Sequence, residues 1–295
     1  FQEDGEYTNG VGVAWGYKDV AGVNKDNLPN WTNFLLEKTY FSNAKTDKQY
    51  DIGYSIFQTI QTAADITAVE LIEDDVPYAG LLGWKATFLA FDEYQVDEMG
   101  LVIGVVGPAS GGEQIQKFIH NMTGSDEPMG WDNQLDNELI FRLDGKRLWR
   151  LANFSAGSTE FDIIGGAIGG IGNLRSDLGG AISLRWGQDL QNSFSSAAVI
   201  PTRDPNPLGN SKDGWYVFAN LGASYVANNI FIDGNTFKDS HSVDLIQEQA
   251  TIAAGAAVTI SNWSFLLSVV RGSDQYKKQS EKTRFGSFAI SYNFR

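Results

Sequence analysis

The sequence alternates with a period of two over unusually long stretches. In 9–17, Val11, Val13, Trp15 and Tyr17 share one face, and Gly10, Gly12, Ala14 and Gly16 share the other. In 284–295, Phe288, Ile290, Tyr292 and Phe294 alternate with Ser287, Ala289, Ser291 and Asn293. Segments 215–227, 250–260 and 263–270 repeat the pattern. Such alternation marks a strand with two unlike faces. The runs reach about ten residues or more, whereas strands of globular proteins are commonly about five or six long. A water-soluble barrel would place its large apolar side chains inside. Here the small and polar face suits the interior, and the large apolar face with aromatic ends suits the outside. Lipid demands that inversion, with about 9–11 residues per crossing. Closing the sheet then leaves no unpaired backbone edge in hydrocarbon. The expected fold class is all-β: a transmembrane antiparallel β-barrel of about twelve strands, with short helices in the loops. A soluble lipid-binding β-barrel is the alternative that the pattern leaves open.

The twelve candidate strands include 134–143 and 146–155, separated by Asp144-Gly145, a tight-hairpin signature. An even count fits single-chain bacterial barrels. Residues 1–295 are read as a single outer-membrane barrel domain with a helical insertion at about 107–125. Polar segments 19–47, 188–213, 229–244 and 272–283 read as loops, the first with a short helix candidate from Asn30 to Leu36. The chain opens at Phe1 without Met, shows no targeting segment, and is read as a mature or trimmed form.

Composition narrows the function. At 42% apolar and 20% charged residues the chain is not disordered. No run of about 18 apolar residues exists, so no helix is expected to span a membrane. A net charge of -14 makes a poor nucleic-acid partner. Cysteine is absent, so thiol catalysis is excluded and a metal would need oxygen or imidazole ligands.

One segment breaks the strand pattern. Within 107–133, Ile115, Phe118, Ile119 and Met122 define one helical face, expected to pack, while Glu113, Gln116 and His120 define another. Ser110 with Glu113 has the form of a capping box. His120 is the only His outside a loop-like segment; the other, His241, lies in 229–244. A lone His is more often structural than catalytic. Gln116, one turn away, could orient the imidazole or a substrate carbonyl, and Asp126 opens a run rich in carboxylates and amides. Neutral imidazole is a general base, and carboxylates with amide oxygens are hard ligands suited to Ca²⁺. The acidic run reads equally well as a solvated loop. Ser110 lacks a G-x-S-x-G setting, so a serine hydrolase is not indicated.

Several motifs together resemble the lipid A 3′-O-deacylase family (LpxR-like). They are Tyr7-Thr8-Asn9-Gly10, Asp75-Val76-Pro77-Tyr78-Ala79-Gly80, Val106-Gly107-Pro108 with Gln116 and His120, and Trp131-x-x-Gln134. Gly169-Gly170-Ile171-Gly172-Asn173 and Leu184-Arg185-Trp186-Gly187 extend the resemblance over the first two thirds of the chain. It implies a monomeric, integral Gram-negative outer-membrane barrel acting on lipid A or lipopolysaccharide among outer-membrane lipids. The implied reaction is Ca²⁺-dependent hydrolysis of the ester that holds the 3′-linked acyloxyacyl group. In that resemblance His120 matches the catalytic His, Gln116 the helix Gln, Thr8 a first-strand Thr, and Asp126 an essential Glu linked to the metal. Two departures stand out. The family's Asn-Asp pair, tied to the metal, has no counterpart before Tyr7, and Val76 replaces a usual basic residue. The competing readings are a non-enzymatic outer-membrane channel or structural barrel, and a Ser-dependent outer-membrane phospholipase.

Overall fold

The structure is a computed structural model that describes residues 9–18, 48–197, 199 and 213–294. Among these residues eleven strands form one antiparallel sheet in strict chain order. They are β1 (Asn9–Tyr17), β2 (Gln49–Gln61), β3 (Ala79–Phe91), β4 (Gln95–Val106), β5 (Glu138–Ala156) and β6 (Thr159–Ile171), then β7 (Arg175–Gln188), β8 (Gly214–Asn229), β9 (Glu248–Ile260), β10 (Trp263–Gly272) and β11 (Arg284–Tyr292). With eleven strands in antiparallel order, β1 and β11 run in the same direction. Among the described residues two α-helices interrupt the series: α1 (Gly112–Thr123) after β4 and α2 (Ile230–Asp233) after β8. Both lie at the end of the sheet where β3, β5, β7, β9 and β11 begin, called the upper end below.

The expected twelve strands become eleven because 134–143 and 146–155 are parts of one strand. β5 runs unbroken for 19 residues through Asp144-Gly145. Asp144 is paired across the sheet with Gly100 and Gly170. Its carboxylate bonds to Arg142 and lies 3.8 Å from Lys85. Fixed inside the wall by these cations, Asp144-Gly145 has no turn to make, and the local hairpin preference loses to tertiary pairing.

The faces are those the alternation predicts. Val11, Val13, Trp15 and Tyr17 are exposed, Val13 at 69%. Ile290, Tyr292 and Phe294 are exposed as well. On the same outer face, near the lower end, aromatic rings contact one another: Trp15 with Tyr54, Phe154 with Phe161, Trp186 with Trp215, and Trp263 with Tyr292. Amphipathic rings gather in this way at a membrane–water boundary.

The inner face departs from the Gly, Ala and Ser lining suggested by the sequence. Arg185 donates to both carboxylate oxygens of Asp162, at 2.9 and 2.6 Å, and both side chains are fully buried. Arg150 lies 3.5 Å from the same carboxylate. Arg142 reaches Asp177 at 2.7 Å, and Lys146 pairs with Glu98. Charges tolerate this interior because opposite signs stand together: Arg185 faces Asp162 and Lys146 faces Glu98 on neighbouring strands, and Arg142 reaches Asp177 across β6. Apolar plugs fill the ends. Phe194, Ala197 and Val199 pack on Leu89, Val96, Leu148 and Ile164 near the lower end. At the upper end Ile230 and Phe231 of α2 pack on Phe57, Leu81, Val102 and Ile140. A lumen filled at both ends should not conduct: the protein in planar bilayers is expected to give no steady ion current. Stable open-channel steps would contradict this packing.

Candidate active site on the outer face of the wall

The chain leaves β4 at Gly107, whose φ of 99° lies in the region glycine tolerates, and makes a 3-10 turn over Pro108–Ser110. Helix α1 follows. Its N-cap is Gly111, with φ 71°, and not the Ser110 of the anticipated capping box. Ser110 Oγ accepts from Gly112 N–H at 3.3 Å instead, and its carbonyl accepts from Gln58 Nε2 at 2.8 Å.

These contacts place α1 outside the wall. On β2, Ile56, Gln58 and Ile60 share the outward face with Tyr54. On β3 that face belongs to Gly80, Leu82 and Trp84. Gln58 is the residue bonded to Ser110. Ile60 packs with Ala63, Tyr78 and Trp131, and Ile115 of α1 lies against them. Gly80 lets the helix approach at backbone distance: a Cβ on Gly112 would stand 2.8 Å from Gly80 Cα and 3.0 Å from Trp131 Cη2. Gly112→Ala is therefore expected to lift the start of α1 and lower activity at least about tenfold, since a misplacement of about 1 Å can cost 100-fold. Its heat-modifiable migration in detergent gels should stay that of the wild type, which separates a displaced helix from a lost barrel.

The helix turns its faces opposite to the sequence expectation. Phe118 and Met122 are exposed, at 64% and 72%, while Gln116 and His120 are buried, at 0% and 5%. Ile115 and Ile119 are half-buried. An amphipathic helix in water buries its apolar stripe. This one lies on a wall whose outward side faces lipid, so its polar face turns inward to the wall.

His120 is held by the helix C-cap. Gly124, with φ 72°, closes the helix by donating its N–H to the His120 carbonyl at 2.8 Å. The chain then folds back so that the Asp126 carbonyl lies 2.6 Å from His120 Nδ1. A carbonyl only accepts, so Nδ1 carries the proton and Nε2 is the basic nitrogen of the neutral ring. Residue 126 thus acts on the imidazole through its backbone; its carboxylate is exposed.

Gln116 is oriented by a residue whose role the sequence reading missed. Trp131 donates its indole N–H to Gln116 Oε1 at 2.9 Å. Trp131 sits in the 3-10 turn Gly130–Asn133 and is buried edge-on against Tyr78, with ring centroids 5.2 Å apart. Burial pushes the Tyr78 phenol up to about 12, so it stays protonated and donates to the Ile66 carbonyl at 3.1 Å. The only sequence signal for Trp131 was its spacing to Gln134.

Among the other candidates, Thr8 lies outside the described residues, as does the helix candidate from Asn30 to Leu36. Among the described residues no group of three or more His, Cys, Asp or Glu stands close enough to hold a metal ion. The Asp126 oxygen that stands beside His120 is its backbone carbonyl, already engaged with Nδ1. Val76 is buried with Ile232 and Tyr276, an apolar setting closed to the basic side chain usual there. Its neighbour Asp75 ties three upper loops together. Tyr276 Oη donates to its carboxylate at 2.6 Å, and Ala64 and Val76 N–H also donate there. His241 Nε2 lies 2.8 Å from its carbonyl, so this loop His has a structural contact.

A lipid-facing β-wall, a filled polar interior and a buried His on the outer face define an outer-membrane β-barrel with a wall-side site. A family model described as outer membrane protein LpxR matches residues 1–294. The chain belongs to that family, and it is an integral protein of the outer membrane. It is similar to the solved structure of LpxR from Salmonella typhimurium, at 17% identity and a TM-score of 0.75, with 97% of this chain and 100% of that chain covered. At that identity the likeness concerns the fold. None of the curated proteins matches the chain.

Proposed function

We propose that the protein hydrolyses the ester that attaches the 3′-linked acyloxyacyl group of lipid A. The observation that carries this reading is the buried His120 with its Nδ1–H anchored, set between a helix and the outer face of the wall. A lipid reaches that face without leaving the membrane. Three connections at the lower end, 92–94, 157–158 and 261–262, are very short turns, whereas among the described residues the upper end has one, 172–174. Short turns belong to the periplasmic side of such barrels. The upper end with α1 then faces outward, where lipopolysaccharide lies.

In the proposed step His120 Nε2 takes a proton from a water molecule. The hydroxide attacks the ester carbonyl, and the tetrahedral intermediate collapses by breaking the bond to the sugar oxygen. The imidazolium returns the proton to that alkoxide, so the products are one carboxylic acid and one free hydroxyl. The Asp126 carbonyl keeps the ring in the required tautomer throughout.

Ca²⁺ is the cofactor that the family resemblance proposes, and no step above runs through it. With purified lipid A in mixed micelles, wild-type protein is expected to release the acyloxyacyl acid. Excess chelator should abolish release, and added Ca²⁺ should restore it. Full release in chelator would remove the metal from the proposal. A serine-directed organophosphate should leave the rate unchanged, because no serine nucleophile takes part.

A further inference from the structure

We infer that Gln116 Nε2 is the site's hydrogen-bond donor to the reacting ester oxygen and that Trp131 is the positioning residue that aims it. The inference deepens the hydrolase reading and rests on it. Gln116 has zero exposure, and its two amide ends are treated differently. An indole N–H only donates, so the atom facing Trp131 Nε1 at 2.9 Å must be the oxygen, Oε1. That contact decides which way the amide points. Nε2, with two N–H bonds, is then buried without a hydrogen-bond partner among the described residues. Buried donors are normally paired, and leaving one unpaired opposes folding. A donor held in that state, one helical turn from an anchored imidazole, is preorganised for an oxygen that arrives with a ligand.

The chemistry needs such a donor. When hydroxide adds to an ester, the carbonyl oxygen gains a full negative charge. A donor fixed beforehand stabilises that charge without reorganising, and does so more strongly in a site shielded from water. Trp131 contributes no atom to the substrate. It is fixed by the Tyr78 ring and by burial at 3% exposure, so the Gln116 amide cannot flip without breaking its bond to the indole.

The test uses the full chain refolded in detergent, with Gln116→Leu, Trp131→Phe and His120→Ala compared on micellar lipid A. Gln116→Leu keeps a neutral side chain of similar size and should lower kcat about 100- to 1000-fold, with little change in KM, as expected for loss of one oxyanion donor. Trp131→Phe keeps a ring against Tyr78 but frees the amide, and should lower kcat about five- to tenfold at unchanged KM. A Gln116→Leu variant with wild-type kcat, or with a change in KM alone, would overturn the inference while leaving hydrolysis by His120 intact. If wild-type protein releases no acid, the hydrolase reading fails on its own. A long-chain alkyl phosphonate, a tetrahedral anion, then decides about the donor. Binding that weakens in both Gln116→Leu and Trp131→Phe would support the donor, and absent or unchanged binding would overturn it.

Discussion

His120→Ala should lower the rate of acyl release by about two to four powers of ten, the usual contribution of a positioned general base. The barrel should survive the change, because His120 sits on a helix laid against the wall and no strand pairing passes through it. Heat-modifiable migration checks this in the same samples. Asp126→Ala provides the contrast. The Asp126 backbone carbonyl that anchors Nδ1 remains in that variant. A large loss of rate in Asp126→Ala would therefore report on the carboxylate itself, as a metal ligand or orienting group. A small loss would confine residue 126 to its backbone role.

The largest effect on stability is expected at Arg185→Ala. This guanidinium is fully buried, bonds both oxygens of Asp162, and also donates to the carbonyls of Leu190 and Ser193. Removing it leaves the buried Asp162 carboxylate with Arg150 alone, 3.5 Å away, and frees the segment that carries the Phe194 plug. Breaking one partner from a buried pair costs about 3–5 kcal/mol. The folded band of Arg185→Ala should convert to the unfolded position at a markedly lower temperature than wild type. The double variant Arg185→Met with Asp162→Leu should not recover the loss, since it takes the carboxylate from the buried Arg150 as well. A single variant as heat-resistant as wild type would show that the ionic interior does not support the barrel.

Much of the wall was legible in the sequence because lipid and a filled lumen impose a strict period of two. Val11, Val13 and Trp15, or Ile290 and Tyr292, announce their outward face within a few residues. Three features were not legible, each for a reason. Asp144-Gly145 carries hairpin chemistry, but its fate depends on Arg142, two residues away, and on Lys85, on another strand. The face of α1 was assigned by the rule for helices in water, whereas the helix lies on a wall with lipid beyond it, so Phe118 and Met122 turn outward. Trp131 gave no local sign of its role, because its partner Gln116 is 15 residues earlier and meets it only through packing on Ile60 and Tyr78. His120 and Gln116 were found because spacing of four on a helix guarantees a shared face whatever that face packs against.

The central claim is that this outer-wall site removes an ester-linked acyl group from lipid A. The most direct measurement is the mass spectrum of lipid A from Gram-negative cells expressing the wild-type chain, His120→Ala, or neither. Wild-type cells should show lipid A lighter by one acyloxyacyl group, with the 3′ hydroxyl left free. Cells with His120→Ala should match those without the protein. Unmodified lipid A in all three, with the wild-type barrel folded in the outer membrane, would contradict the claim.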